Sequence, residues 1–473
     1  MAKQYDTVVV GAGTGGYVAA IRAAQLGQRV AVVERQPALG GTCLLWGCIP
    51  TKALLEHAHA FKVIKAATEW GVMLPFGAPA IDMRQVQERK DKIVSGLAKG
   101  VEYLFKKNKI DWIKGTATLR GGGSVTVTDA GNPQELTAAE IIVATGSKPR
   151  AVPGVAVDGT RIITSDEAIG LAAVPASLVI LGSGAVGVEF ASIYRRFGSD
   201  VTIIELQPRL VPVEDESVSA ELEKSFKKQG ITVLTGTTVT SAVAGQGGVS
   251  ISARRPDGET LQIDAALLLV ATGRAPVTDG LGLEALGVAT ERGYVKVDPL
   301  YRTSVPHISA IGDVVTVVGR GAHPQLAHVS SAEGILVAER LAGKDVKPLN
   351  FDHVPGCTYC EPEIGSVGLT EAEARSRGFD VRVGTFPFGV LARAKVAGES
   401  EGFVKIVADR KYDEVLGVHM IGGRSTELVA EAVLALRLEC TVEELVKTIH
   451  AHPTFSEAVG EASHAAHGAA IHL

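Results

Sequence analysis

Cys43 and Cys48 stand five positions apart in Gly40-Gly41-Thr42-Cys43-Leu44-Leu45-Trp46-Gly47-Cys48-Ile49-Pro50-Thr51-Lys52. Two thiols so placed can take and return an electron pair by closing and opening a small disulfide ring. On a regular helix a five-residue offset leaves the Cα atoms roughly 8–9 Å apart, whereas a disulfide needs about 4.4–6.8 Å. The ring closes only where the backbone departs from an ideal helix, and Gly47 beside Cys48 eases that departure. Spacing alone leaves a second reading open, two buried free thiols of the kind common in protein cores. The residues upstream favour the redox reading, because a small strained ring beside a cofactor site is what a reducible disulfide requires.

Those upstream residues form a dinucleotide-binding pattern. The run Thr7-Val8-Val9-Val10 enters Gly11-Ala12-Gly13-Thr14-Gly15-Gly16, and a helical stretch follows to Leu26-Gly27. Residues 29–33 then lead to Glu34, nine positions before Cys43. Gly11 permits the tight turn, Gly13 lets the backbone approach a pyrophosphate, and Gly16 lets helix and strand pack closely. Glu34 can accept a bond from a ribose hydroxyl. The pattern then repeats. Ser177-Leu178-Val179-Ile180-Leu181 enters Gly182-Ser183-Gly184-Ala185-Val186-Gly187, a helix reaches Phe197-Gly198, and residues 200–204 end at Glu205. First glycine and acid are 23 positions apart in both copies, and both copies close on a strand with a glycine turn, Ala144-Thr145-Gly146 and Ala271-Thr272-Gly273. One glycine fingerprint is weak. Two with matching strand, helix and acid predict two dinucleotide domains in one chain.

Two dinucleotides and one dithiol define an electron relay. Nicotinamide moves hydride, and a flavin exchanges with both hydride donors and thiols. The short step from Glu34 to Cys43 assigns FAD to the first site and the nicotinamide to the second. Glu205 would repel a 2′-phosphate and bond a 2′-hydroxyl, which favours NAD over NADP, with Arg209 as the contrary sign. Asp313, at the end of Ser309-Ala310-Ile311-Gly312-Asp313, can bond a ribityl or ribose hydroxyl, or is an ordinary turn residue. Lys52 is a cation that can stabilise a reduced flavin; Lys52 and Glu189 can equally be surface charges. His452 is a candidate general base, since thiol exchange runs through the thiolate and free cysteine titrates at about 8.5. Glu457 can orient its imidazole, or serve as the acid of a capping box over Thr454-Phe455-Ser456-Glu457. Cys357-Thr358-Tyr359-Cys360 has no second pair at zinc spacing and reads as two small strand residues. His464, His467 and His472 fall in a tail expected to be mobile, and no metal site is expected.

The elements that must position these groups follow from length and pattern. A chain of 473 residues suggests roughly three domains at about 150 residues each. Hydrophobic content of 46% with 21% charge is ordinary for a soluble globular protein, and 54 glycines suit several tight turns. A net charge of −5 gives no electrostatic case for nucleic acid or an anionic membrane. No apolar run reaches the roughly 18 residues of a transmembrane helix. The N-terminus enters a strand pattern with no signal-peptide region before it, so a cytoplasmic protein is expected. The cysteines number five, which in a long cytosolic chain suits a catalytic pair better than a structural disulfide framework. Helices are predicted over 52–65, 81–105 and 326–342, and strands over 111–119, 124–128 and 141–147. Residues 349–473 read as an α+β unit with Thr370 as a helix N-cap, strands at 403–407 and 415–420, and a helix at 426–438. Leu428, Val429, Ala432, Val433 and Leu436 give that helix an apolar face, which can serve a two-fold interface or pack within its own domain.

Gly40 to Lys52 resembles the active-disulfide signature of the class I pyridine nucleotide–disulfide oxidoreductases. Both fingerprints, Gly312-Asp313 and the segment His452-Pro453-Thr454 to Glu457 occur in that family's order over nearly the whole chain. The resemblance implies an α/β fold of two Rossmann-like dinucleotide-binding domains plus a C-terminal α+β dimerisation domain. It implies FAD binding by residues 1–148 and 275–348, NAD binding by 149–274 and an interface domain at 349–473. Cys43 would then be the interchange thiol and Cys48 the thiol beside the flavin. Lys52 and Glu189 would pair near the flavin ring, and His452 would be the base with Glu457 its partner. FAD would be held by Gly11, Gly13, Gly16, Glu34, Thr42, Lys52, Thr145, Gly146, Gly312 and Asp313, and NAD by Gly182, Gly184, Gly187, Glu205 and Gly273. Family members are homodimers in which the base reaches the disulfide of the partner subunit. His450-Ala451-His452-Pro453-Thr454 is similar to the branch that reoxidises protein-bound dihydrolipoamide with NAD. That branch serves the lipoyl domains and acyltransferase of 2-oxo acid dehydrogenase complexes, or the lipoyl carrier (H protein) of glycine cleavage. Leu45-Trp46 departs from the family's usual Asn-Val between the cysteines. No cysteine follows Cys440, unlike mercuric reductase, and glutathione reductase has basic residues where this chain has Glu205. A chiefly structural subunit of a multienzyme assembly, or a partner-binding protein with a vestigial flavin, is the contrasting reading; the intact thiols and His452 argue against vestigial status.

Overall fold

The computed structural model describes residues 3–75, 77–321 and 323–473. They form two compact units, one from residues up to 53, 84–150 and 273–349, the other from 54–83, 151–272 and 350–473.

The first unit is built on a sheet whose parallel strands run Asp111–Lys114, Val30–Glu34, Lys3–Val10 and Asn132–Val143, with Ile308–Ala310 paired along the last. Val8, Val9, Val32 and Ile142 are fully buried, as a sheet covered on both faces requires. Each such side chain contributes about 1.5–3 kcal/mol over its exposed state. Asn132–Val143 begins nine residues before the expected strand and stops short of Ala144. Its polar first half pairs antiparallel with Ser124–Asp129, which pairs in turn with Thr116–Leu119. Helix Thr14–Gln25 lies against helix Ala327–Leu341 so closely that a Cβ on Gly334 would stand 2.6 Å from the Gly15 carbonyl oxygen.

The second unit contains another parallel sheet, Thr232–Leu234, Asp200–Ile204, Ser177–Leu181, Leu267–Val270 and Ile162–Ile163, and an antiparallel ribbon, Thr238–Gly245, Gly248–Arg254 and Thr260–Ala265. Its antiparallel sheet runs Gly356–Thr358, Ile364–Gly368, Val415–Gly422, Gly402–Asp409 and Val381–Pro387. Thr370 caps helix Glu371–Ser376 in a full capping box with Glu373, as expected. Helix Ser425–Arg437 turns Val429, Ala432 and Leu436 into the unit's own core, with Leu428 and Val433 packed beside them. Of the two roles open to that face, packing within its own unit is the one observed, and Leu434 and Leu438 are exposed leucines at the end of the helix. Buried Lys405 joins the two halves of the unit, with Nζ 2.8 Å from Asp215 and 2.9 Å from Glu371. Among the described residues no helix is long and apolar enough to cross a membrane.

Candidate active site

The thiol-bearing helix is seated on the first nucleotide turn. Gly11 has φ +103°, and a Cβ there would strike the Ala144 carbonyl, while one on Gly16 would strike the Gly11 carbonyl. A Cβ on Gly41 would overlap Gly13 Cα, and Gly40 N donates to Ala12 O at 3.0 Å. The glycines at 13 and 41 thus allow backbone-to-backbone contact between the turn and the short helix Gly41–Leu45 that carries Thr42 and Cys43. Gly13 caps helix Thr14–Gln25 without a side chain, so the first-turn amides remain for an anion. Buried Glu34 accepts Ala12 N and Gln36 N, each at 2.8 Å, which fixes its carboxylate and leaves lone pairs for ribose hydroxyls. An uncapped helix start, a close-approach glycine and a buried acceptor fit a dinucleotide.

Helix Gly41–Leu45 breaks at Trp46, with φ −144° and ψ 24°, and a new helix, Cys48–Lys65, begins two residues later. This is the departure that a disulfide's short span requires. Gly47 owes its place to sterics, since a Cβ there would stand 2.7 Å from the Thr42 carbonyl oxygen. Cys43 and Cys48 are thiols, hydrogen-bonded to each other. That bond, burial and the charge of Cys48 push the Cys43 thiol up, and the Lys52 cation pulls it down. Burial and the neighbouring Cys43 charge likewise raise the Tyr17 phenol, a neighbour that the sequence reading passed over.

Asp313 is held by two residues also not anticipated. Ser147 Oγ donates to its carboxylate at 2.5 Å, and Arg274 Nε donates to Ser147 Oγ at 2.6 Å. Each follows a glycine turn, Gly146 at φ +71° and Gly273 at φ +108°, and that position was the available signal. Thr145 Oγ1 is engaged with Val277 O at 2.6 Å. Gly312 N donates to fully buried Glu333 at 2.6 Å, and His323 Nε2 bonds the same carboxylate at 2.6 Å. Glu333, an acid flanked by Ala332 and Gly334 in helix Ala327–Leu341, was the hint of this support.

The second unit repeats the turn. A Cβ on Gly182 would stand 2.6 Å from Ala271 O, one on Gly187 would strike Gly182 O, and Gly184 faces open space at the uncapped start of helix Ala185–Phe197. Glu205 accepts Ser183 N at 2.7 Å, Ser183 Oγ at 2.8 Å and Gln207 N at 2.7 Å. Arg209 is engaged with Glu216 at 2.7 Å and Pro212 O at 3.0 Å. Buried Glu189 accepts Tyr359 N at 2.9 Å. Cys357 and Cys360 donate to different carbonyls, Thr426 O and Pro362 O, and burial pushes the Cys360 thiol well up.

His452 Nδ1 meets Glu457 Oε1 at 2.8 Å, while Glu457 Oε2 accepts Thr454 N at 2.8 Å. One carboxylate thus serves both of the roles that the sequence left open. The capping box is only half formed, because Thr454 Oγ1 donates to Ala451 O and the helix Glu457–Ala466 starts from Ser456 without a side-chain cap. Burial would raise the Glu457 carboxyl; the Thr454 amide and the His452 and His450 interactions outweigh it and hold it below its ordinary range. The His452 side chain is 72% exposed, so its ring is open to a substrate. The tail expected to be mobile is tethered, His467 to Asp413 at 2.9 Å and His472 to Glu461 at 2.7 Å.

Two nucleotide turns, a dithiol seated on one of them and an imidazole–carboxylate pair define a flavin- and nicotinamide-dependent thiol oxidoreductase. Residues 5–334 match the model of the pyridine nucleotide-disulphide oxidoreductases and residues 354–463 that of their dimerisation domain. The chain belongs to this family. It is 46% identical to a dihydrolipoyl dehydrogenase of Bacillus subtilis (strain 168), all of both chains being covered. It is 43% identical to a dihydrolipoyl dehydrogenase of Rhizobium etli over 99% of each chain. Among solved structures it is similar to LpdA from Mycobacterium tuberculosis, with a TM-score of 0.88, 28% identity and coverage of 98% and 99% of the two chains.

Proposed function

We propose that the chain acts as a dihydrolipoyl dehydrogenase, converting a dihydrolipoyl group and NAD+ to a lipoyl disulfide, NADH and a proton. The observation that carries this reading is the seating of the Cys43 helix on the first nucleotide turn through Gly13 and Gly41. A substrate thiolate attacks the sulfur of Cys43 in the oxidised pair and displaces Cys48 as thiolate. The second substrate thiolate then breaks the mixed disulfide and releases Cys43. His452 of the partner subunit takes the proton of the first substrate thiol, with Glu457 fixing its Nδ1 edge, and the proton of the second goes to Cys43 as it leaves. Lys52 supplies a positive charge beside the thiol pair, and Glu189 is the acid that the family's pattern matches to it. FAD, when bound, passes the electron pair from the thiols to NAD+.

The FAD site comprises Gly11, Gly13, Gly16, Glu34, Thr42, Lys52, Thr145, Gly146, Gly312 and Asp313, on a domain of residues 1–148 and 275–348. The NAD site comprises Gly182, Gly184, Gly187, Glu205 and Gly273, on residues 149–274, and residues 349–473 form the dimer interface. Lipoyl domains of a 2-oxo acid dehydrogenase complex, or the glycine-cleavage lipoyl carrier, are the macromolecular substrates. Steady-state turnover with dihydrolipoamide, glutathione disulfide and mercuric ion, each with NAD(H) and NADP(H), tests the reading. Dihydrolipoamide with NAD+ should be the preferred pair, and faster reduction of glutathione disulfide by NADPH would overturn it.

A further inference from the structure

Behind the His452–Glu457 pair stands a second imidazole–carboxylate pair. His450 Nε2 meets Glu431 Oε1 at 2.8 Å, and its side chain is only 10% exposed. Glu431 comes from helix Ser425–Arg437. The ring of His450 lies against the helix that Glu457 begins: a Cβ on Gly460, one turn on from Glu457, would stand 3.0 Å from His450 Nδ1. A side chain at 460 would crowd the imidazole. A histidine that merely filled space would need neither an acid partner nor a glycine cut into the helix beneath it.

We propose that Glu431 and His450 form a positioning pair that fixes Glu457, and through it the ring of His452, for proton exchange with the substrate dithiol. This rests on the reading of His452 as the base. The groups that face His450 are Glu431 from one helix, Glu457 from the other and the Thr448 carbonyl from its own segment. The Glu431 bond is the largest influence on the His450 imidazole and favours its charged form against burial. His450 packs on the first turn of the helix that Glu457 begins, which holds that carboxylate with Oε2 on the Thr454 amide and Oε1 on His452 Nδ1. His452 is exposed and has no other hydrogen bond of its ring recorded among the described residues, so the orientation of its proton-bearing edge depends on that carboxylate. His450 touches no substrate in this arrangement; it acts through Glu457.

His450→Gln, Glu431→Gln and His452→Gln, each as holoenzyme, test the proposal. Two activities are read, dihydrolipoamide with NAD+, and NADH with ferricyanide, which draws electrons from the flavin without using the dithiol. Nitrogen-15 spectra of histidine-labelled protein report the tautomer of His452, assigned by its loss in His452→Gln. The first two variants should lower dithiol turnover about tenfold, part of the 10²–10⁴ that general-base catalysis supplies. The ferricyanide activity should stay within about twofold of wild type in both. The His452 signal should pass from a single Nδ1-protonated form to a mixture of tautomers. Dithiol turnover unchanged in either variant, a tautomer that stays single, or a parallel fall of both activities would show a packing role and overturn the proposal. His452→Gln separates the two levels: if it keeps dithiol turnover, the reading of His452 as base fails, whatever His450 does.

Discussion

Gly47 shows how a missing methyl group sets the redox pair. A Cβ there would press on the Thr42 carbonyl at 2.7 Å, so Gly47→Ala must push the short helix Gly41–Leu45 from the start of helix Cys48–Lys65 and carry Cys48 from Cys43. Crowding of this kind costs about 1–3 kcal/mol. Dithionite titration of the variant holoenzyme should fall from about four electrons per flavin, two for the flavin and two for the disulfide, toward about two. An unchanged uptake would mean that the backbone absorbs the methyl elsewhere. Glu205 carries a second prediction. Glu205→Ala should narrow the preference for NAD over NADP, read as the ratio of kcat/KM values. It should also lower stability, because it strips the partner from Ser183 and Gln207, at about 1–3 kcal/mol for a buried unsatisfied group. Wild-type protein that turned over faster with NADP(H) would exclude the role given to Glu205. The glycines and acids of both turns were legible because their spacing is local. Ser147, Arg274 and Glu333 were not, because the contacts that give them meaning join segments more than a hundred residues apart or lie behind a turn that looks ordinary in one dimension.

At the scale of elements, the start of helix Glu216–Lys228 is fixed by one buried carboxylate. Asp215 caps it through Ser217 N at 3.0 Å and also binds Lys405 Nζ at 2.8 Å. Burial would raise the Asp215 carboxyl, but the Lys405 and Ser217 bonds and the His419 and Lys405 charges outweigh it and hold it well below its usual range. Buried His419, whose Nε2 lies 2.9 Å from Leu369 O, is displaced downward, chiefly by burial. Both groups bind protons more weakly folded than unfolded, so both contributions are lost as pH falls. That of His419 is complete above about pH 6.5 and that of Asp215 above about pH 4. Each unit of separation between folded and unfolded values is worth about 1.4 kcal/mol. Urea unfolding across pH 7.5 to 3.5 should show a decline in two stages. His419→Gln should flatten the upper stage and Asp215→Asn the lower; a decline untouched by both substitutions would place the acid sensitivity elsewhere. Element types were largely readable from periodicity. The long strand Asn132–Val143 was half hidden because its first half is polar and pairs at an exposed edge. Helix Ser425–Arg437 was left open between an interface and its own core, and only the sheet beneath it decides that Val429, Ala432 and Leu436 turn inward.

At the scale of the whole molecule, each catalytic centre should be built from two chains. His452 is open to solvent at 72% exposure, which is unusual for the base that we propose it to be. Around its partner pair the surface is apolar: Leu434 and Leu438, on the outer side of the Glu431 helix, are 59% and 64% exposed, and Ile449, next to His450, is 96% exposed. All lie within the matched dimerisation domain. A second copy is the occupant that such a surface on such a domain calls for. Mixing decides the matter. Cys43→Ser and His452→Ala homodimers should each be nearly inactive with dihydrolipoamide. In a heterodimer of the two, sites shared between chains give one centre with both residues intact and one lacking both. Co-expressed and purified heterodimer should recover about half of the wild-type activity per dimer, one centre of two under two-fold symmetry. If Cys43 and His452 instead worked within one chain, every centre in the heterodimer would carry one lesion. Activity would then stay at the level of the parent variants, and the exposed His452 would need another explanation.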